Sequence, residues 1–288
     1  MIRFADENTK PAIWDMWQDV FGDKDDYINL IFARKYQHEN ALIYIEDNKP
    51  VASLQMFPYN IRFYGEVVPF YYLAGLCTLP EYRNRGIMGQ LILESFAVMQ
   101  ERQIPLSILV PAEDWLYAYY EKYGFIQTFD KGTEPIDMKN LLHIYANNPK
   151  EAFTFFDLKF QQGDFCVLKT ENDLEIIIDD YLLDDCPAKY NLGAMSRVID
   201  PLSLLNKYAF KNPDSDFKIL IHDKQIPHNS SYCIKNGMAT IYEKDDYDFE
   251  LDEKLLTQLL FGYKMENIPS EFQSYFTSHQ PAINLMLE

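Results

Sequence analysis

The stretch LAGLCTLPEYRNRGIMG (Leu73–Gly89) decides the fold. Its apolar run, Tyr71–Leu76, reads as a strand and meets a break at Pro80. A basic turn follows, Arg83-Asn84-Arg85-Gly86, and an amphipathic helix is expected from Ile87 to Arg102. The order is therefore strand, loop, helix, with two cations and a glycine where the helix opens. First-turn N–H groups have no partner within the helix, and the helix dipole is positive at that end. Both favour a bound anion, typically a phosphate.

Upstream, residues 2–5 suit a short strand. Thr9 followed by Pro11 starts a helix in which Ile13, Trp14, Trp17, Val20 and Phe21 recur at helical spacing. Asp25–Lys35 reads as a second helix, with Ile28, Ile31 and Phe32 on one face. The segments Ala41–Ile45, Val51–Phe57, Ile61–Tyr64 and Val67–Leu76 are apolar, β-branched or aromatic. Turn signals at Asp47-Asn48-Lys49-Pro50 and Tyr64-Gly65 punctuate them, the pattern of an antiparallel meander. Leu106–Val110 (strand), Asp114–Tyr123 (helix) and Phe125–Phe129 (strand) follow the central helix.

From about Asn140 the texture changes. Asn148-Pro149 caps a helix that continues through Phe160. Residues 165–183 fit either state: Thr170-Glu171-Asn172-Asp173 looks like a helix start, and Ile176-Ile177-Ile178 suits a strand. The rest reads as strand Met195–Ile199, helix Leu202–Tyr208, strands Phe217–Ile221, Tyr232–Ile234 and Met238–Tyr242, and helix Asp252–Phe261. Glu271–Phe276 is a last amphipathic piece. The expected class is α+β with a mixed sheet.

The chain has 288 residues, 48% of them apolar, with 21 Tyr and 20 Phe, ample for one large domain or two. Its formal charge of −18 argues against nucleic acid or an anionic membrane surface as partner. The same charge suits a cationic ligand such as an amine, and it also serves solubility. No apolar run is long enough to span a membrane, and the first residues lack the pattern of a signal peptide. Cys77, Cys166, Cys186 and Cys233 are scattered, so neither a disulfide framework nor a metal site is expected. The expected compartment is the cytoplasm.

The order of these elements, ending in Tyr120-Glu121-Lys122-Tyr123-Gly124-Phe125, resembles the GCN5-related N-acetyltransferases (GNAT). Their acetyl-CoA loop reads Arg/Gln-x-x-Gly-x-Gly/Ala, and a later helix ends Tyr-x-x-x-Gly-Phe. Arg83-Asn84-Arg85-Gly86-Ile87-Met88 matches the loop with one departure. Met88 stands where Gly or Ala is usual, with Gly89 next, and bulk there would crowd a pyrophosphate. The resemblance implies acetyl-CoA as cosubstrate, with Arg83, Asn84, Arg85, Gly86, Ile87, Met88 and Gly89 around its pyrophosphate. It also implies a pantetheine arm added like an extra strand to Leu76, Cys77 and Thr78. Cys77 then acts through its backbone, since no histidine lies near in sequence to make it a nucleophile. Tyr120, placed by the Gly-Phe register, is the implied proton donor to the leaving thiolate; a packed ring among Tyr117, Tyr119 and Tyr123 is the plainer alternative.

The second half carries Met195-Ser196-Arg197-Val198-Ile199-Asp200-Pro201, Ile221-His222-Asp223, Ile226-Pro227-His228-Asn229 and the helix Leu255–Phe261 before Gly262. This looks like the C-terminal domain of the enhanced intracellular survival (Eis) acetyltransferases, which is similar to sterol carrier proteins. Those enzymes also carry loops like Pro80–Gly86. The resemblance implies a GNAT domain over 1–138, a connector over 139–190 and a sterol-carrier-like domain over 191–288. The connector stands where Eis enzymes have a second acetyltransferase-like domain, so that middle domain is reduced here. A further implication is that a terminal carboxylate, on Glu288 behind Ile283, Leu285, Met286 and Leu287, acts as base.

Acceptor-side candidates are Glu113, Asp114 and Trp115 after the Leu106–Pro111 strand, and Asp26, with Asp23 and Asp25, between the first two helices. Each carboxylate also serves as an ordinary solvated or capping group. The activity implied is acetyl transfer to a primary amine (aminoglycoside-like, polyamine-like or a protein lysine) by direct attack in a ternary complex. A homo-oligomer is compatible with it. A non-catalytic CoA-binding or apolar-ligand-binding regulatory protein is the alternative, favoured by Met88 and the short middle.

Overall fold

The computed structural model describes every residue except 185, 227–229, 287 and 288. The chain opens with strand β1 (Ile2–Phe4) and helices α1 (Lys10–Phe21) and α2 (Asp25–Arg34). Strands β2 (Ala41–Glu46), β3 (Lys49–Phe63) and β4 (Glu66–Thr78) form the expected meander. Helix α3 (Ile87–Glu101), strand β5 (Leu106–Leu109), helix α4 (Asp114–Tyr120) and strand β6 (Ile126–Phe129) follow. Next comes a mainly helical stretch: α5 (Met138–Asn147), α6 (Pro149–Phe160), the short strand β7 (Val167–Leu168) and α7 (Glu171–Leu183). The remainder is β8 (Ala194–Val198), α8 (Pro201–Lys211), β9 (Phe217–His222), β10 (Ser230–Lys235), β11 (Met238–Ile241), β12 (Phe249–Asp252) and α9 (Glu253–Phe261).

The first sheet has the order β1-β2-β3-β4-β5-β8-β6, with β7 added to β3. Its strands are antiparallel neighbours except β4 and β5, which run parallel. Leu42, Leu54, Met56 and Leu73 face α3 in one apolar layer, with Leu91, Ile92 and Phe96 from the helix. Phe57, Tyr59, Phe70 and Tyr72 face α1 and α2 in the other, against Ile13, Trp17 and Ile28. Fully burying an isoleucine such as Ile13 or Ile28 contributes about 1.5–3 kcal/mol, so the two layers fix the sheet between its helices.

One local reading is revised, and the state of residues 171–183 is decided. Val51–Phe57 and Ile61–Tyr64 are parts of one 15-residue strand, β3. Pro58 sits where β3 is open on one side, between the end of β2 pairing at Gln55 and the start of β7 pairing at Asn60. A proline is tolerated at such an edge because no ladder bond is lost there. Residues 171–183 are helix: Thr170 Oγ1 accepts from Asp173 N (3.1 Å) and Asp173 Oδ2 accepts from Thr170 N (2.8 Å). This capping box outweighs the β-branched run behind it. The amphipathic piece Glu271–Phe276 forms successive turns.

Ala194–Val198, expected to begin the C-terminal domain, lies inside the first sheet. There β8 separates β5 from β6, antiparallel to both. The second sheet, β11-β10-β9-β12, is packed by α8 and α9, and its apolar core runs into that of the first. Among the described residues no helix is long and apolar enough to cross a membrane.

Candidate active site

The site begins where β4 leaves β5. The two strands pair only at Tyr71–Ser107 and Tyr72–Ile108, so the β5-facing edge of Leu73–Thr78 has no strand partner among the described residues. On the other side β4 stays with β3, but the register shifts: from Ser53 to Gln55, β4 moves from Cys77 to Ala74. The extra residue is a bulge at Gly75-Leu76, which turns the strand away from its neighbour. Gly75 has φ +57°, and a Cβ there would stand 2.5 Å from the Trp17 ring. Helix α1 therefore seats against the bulge through a contact only glycine permits.

After Thr78 a short 3₁₀ turn (Pro80–Tyr82) leads to Asn84 (φ 60°) and Gly86 (φ 74°), the N-cap of α3. A Cβ on Gly86 would meet nothing within 4 Å, so the approach to the first-turn amides is open. The two cations differ. Arg83 Nε donates to the Thr78 carbonyl at 3.0 Å, and the residue is exposed. Arg85 Nη2 donates to both carboxylate oxygens of Glu46 at 2.9 Å, and its guanidinium lies 5.4 Å over the Tyr82 ring. Of the pair expected to gather at an anion, one is already neutralised by Glu46. Met88 packs partly buried against the α3 layer, so its bulk is turned into the core. The small residue is needed one place later: a Cβ on Gly89 would run into the Tyr123 hydroxyl.

Cys77 is 1% exposed and its sulfur lies 3.1 Å from Ser53 Oγ. Burial pushes the thiol up to about 11, so it is protonated at neutral pH, and the backbone reading of this residue is the one the chemistry allows. Tyr120 is the last residue of α4 and is buried, its ring edge-on to Phe125 (6.1 Å) and to Tyr119 (5.4 Å). Its hydroxyl has no hydrogen-bond partner among the described residues. Burial holds the phenol well above its ordinary value, which keeps it a donor.

Trp115 is 62% exposed, so it is not core; its indole N–H donates to Glu113 Oε2 at 2.9 Å. Glu113 and Asp114 are exposed at the start of α4. Asp23 accepts from the Trp17 indole N–H at 2.7 Å, and Asp25 accepts from Gln18, so both are engaged; Asp26 is exposed. Trp17, with Gly75 and Asp23, thus joins the α1–α2 loop to the bulge. Its helical spacing marked it only as core; the lone glycine in a strand was the available signal. Ile283, Leu285 and Met286 are buried, and Leu192 N donates to the Ile283 carbonyl, so the described part of the tail docks against the protein. Leu287 and Glu288 lie outside the described residues. Among the described residues no group of His, Cys, Asp or Glu is placed to hold a metal.

Residues 1–127 match a family model described as the acetyltransferase (GNAT) domain. No curated protein matches the sequence. Solved structures similar over nearly the whole chain include a GCN5-related N-acetyltransferase from Kribbella flavida (13% identity, 99% of each chain, TM-score 0.69). A probable N-acyltransferase from Enterococcus faecalis V583 is similar too (15% identity, 99% of this chain and 98% of that one, TM-score 0.66). So is Eis1 from Mycobacterium abscessus (12% identity, 99% of each chain, TM-score 0.64). At such identities the likeness is one of fold, and the fold is that of these acetyltransferases.

Proposed function

We propose, from the GNAT acetyltransferase domain in its first 127 residues, that this chain transfers acetyl from acetyl-CoA to a primary amine within a ternary complex. The observation that carries this reading is the parting of β4 from β5 beside the Gly86 turn. The turn offers free first-turn amides to a pyrophosphate, and the open edge at Leu76 and Cys77 offers backbone partners to a pantetheine amide. The Thr78 carbonyl already accepts from Arg83, so Arg83 is read as bracing the strand end and facing the phosphates.

In the reaction the acceptor first gives up its ammonium proton to water, and the lone pair of the neutral amine nitrogen attacks the thioester carbonyl carbon. A C–N bond forms, the C–S bond breaks, and CoA leaves as thiolate while the nitrogen sheds a proton to solvent or a carboxylate. Tyr120 donates a hydrogen bond to the departing sulfur. Its raised phenol stays protonated against a thiolate of conjugate-acid pKa about 8.5, so stabilisation of the charge, with positioning of the two substrates, is its contribution. The acceptor is read as cationic in solution, attracted by the acidic surface, with Glu113, Asp114, Trp115 and Asp26 around its entry. Aminoglycoside-like polyamines, small amines and lysine side chains fit that description.

The test is acetyl-CoA binding by calorimetry, then thiol release in the same sample against polyamines, aminoglycosides and lysine peptides. Amine-dependent release supports the transferase. Binding without release with any amine would favour a CoA-binding regulatory protein, and no binding would overturn the reading of the Arg83–Gly89 turn. Tyr120→Phe is expected to lower kcat about a hundredfold with acetyl-CoA affinity unchanged.

A further inference from the structure

Gly124, four residues beyond Tyr120, is backed by side chains from the far half of the chain. Its φ is +81°, and a Cβ there would stand 2.8 Å from Arg197 Nε, 2.9 Å from Arg197 Cζ and 2.7 Å from Glu253 Cγ. Arg197, in β8, has no exposed surface. Its Nη2 donates to both carboxylate oxygens of Asp223 at 2.7 and 2.6 Å, and its Cζ lies 5.5 Å over the Phe96 ring. The ring contacts continue from Phe96 to Phe125, which is tilted against it (5.9 Å between centroids), and from Phe125 edge-on to Tyr120 (6.1 Å). Two residues past Asp223, Gln225 Nε2 donates to the Lys122 carbonyl at 2.7 Å, a second hold on the same segment.

As a source of stability this is a poor arrangement. Arg197 Nε and Nη1 are buried without a hydrogen-bond partner, as is Glu253 Oε2. A guanidinium with one nitrogen engaged has lost its water for little return, and a buried pair of this kind commonly does no better than an apolar one. What the pair does supply is a rigid, planar wedge in one orientation, set by Asp223 and pressed between Gly124 and Phe96.

We propose that the Arg197–Asp223 pair is the positioning device for Tyr120, holding Gly124 and the Phe96–Phe125 ring contact from behind and so setting where the Tyr120 hydroxyl stands. The proposal rests on the role given to Tyr120 above. It makes the C-terminal half a part of the transferase without lending the reaction an atom.

The test compares turnover with stability. Asp223 Oδ1 also accepts from the Gln225 and Ile226 N–H groups, both at 2.9 Å, so Arg197→Met is combined with Asp223→Asn, which removes both charges and keeps an acceptor for those donors. The expected result is a melting temperature at least that of the unaltered protein, acetyl-CoA affinity within about twofold, and kcat lowered about tenfold or more. Arg197→Lys, which keeps the charge and loses the planar fork, is expected to lose kcat likewise. A stable double variant with full kcat would overturn the proposal, because a purely structural pair predicts activity that follows stability. Should the double variant not fold, Asp223→Asn is read by the same comparison.

A second readout does not depend on turnover. In protein labelled with 3-fluorotyrosine, the Tyr120 fluorine resonance, assigned by its loss in Tyr120→Phe, is expected to move in these variants; an unmoved resonance overturns the proposal. If Tyr120→Phe itself keeps full kcat, the role of Tyr120 falls, and the positioning claim is judged on the resonance alone.

Discussion

At Cys77 and Lys169 burial is the largest influence on what a reactive side chain can do. With its thiol pushed up to about 11, Cys77 is almost wholly protonated at pH 7, and Cys77→Ala is expected to keep kcat within about threefold. An acetylated Cys77 peptide in a quenched reaction would contradict this. Lys169 is buried, its Nζ has no hydrogen-bond partner, and burial lowers its pKa to about 7 despite nearby Asp173. Between about pH 7 and its ordinary value near 10.5, the unfolded chain holds a proton here that the folded chain does not. Stability therefore rises with pH across that window, and below about 7 the cost of the buried charge is present in full. Lys169→Met is expected to raise the stability measured by denaturant unfolding by a few kcal/mol at pH 6, roughly, with the gain shrinking towards pH 10. A gain that does not vary with pH would contradict the assignment. The sequence pointed to a backbone role for Cys77 through the lack of a neighbouring histidine, but the burial of both groups, and with it the state of Lys169, is set by packing that no local pattern records.

Among the elements, those specified by neighbouring residues were legible and those specified by distant ones were not. Helix α3, the turn at its Gly86 N-cap and the helix that ends at Tyr120 each lie within a few turns of chain, and their local structure is as read. The continuity of β3 through Pro58 depends on β2 ending and β7 beginning on either side of it, which no local pattern records. Arg85 read as a free phosphate ligand because Glu46, its partner, is 39 residues away. Likewise the glycine at position 89 answers to packing, because the Tyr123 hydroxyl, distant in sequence, comes to rest against it. The bulge in β4 gives a prediction at this scale. Gly75→Ala must displace Trp17 and adopt a left-handed backbone, so a loss of about 1–3 kcal/mol in stability is expected, together with weaker acetyl-CoA binding. Thermal unfolding and calorimetry on one variant check both, and unchanged acetyl-CoA affinity would separate the bulge from the cosubstrate edge.

Over the whole molecule, the charge of −18 governs how a charged partner approaches. A polycationic acceptor is then steered towards the surface, and its kcat/KM is expected to fall several-fold between about 0.05 and 0.5 M salt as the Debye length contracts. A salt-independent kcat/KM for such an acceptor, measured at fixed acetyl-CoA, would show that steering plays no part. The arrangement of the halves was the least legible feature, because β8 and α9 come late in the chain yet complete and cover the first sheet. That order has a consequence during synthesis. When β5 and β6 have left the ribosome, the strand that belongs between them is still unmade, and residues 130–193 must be added first. At about 5–20 residues per second the delay is roughly 3–13 s. Through that interval two apolar strand edges stand open to any other nascent chain. The exposure to wrong pairing that this strand order creates therefore falls during synthesis and ends when β8 takes its place.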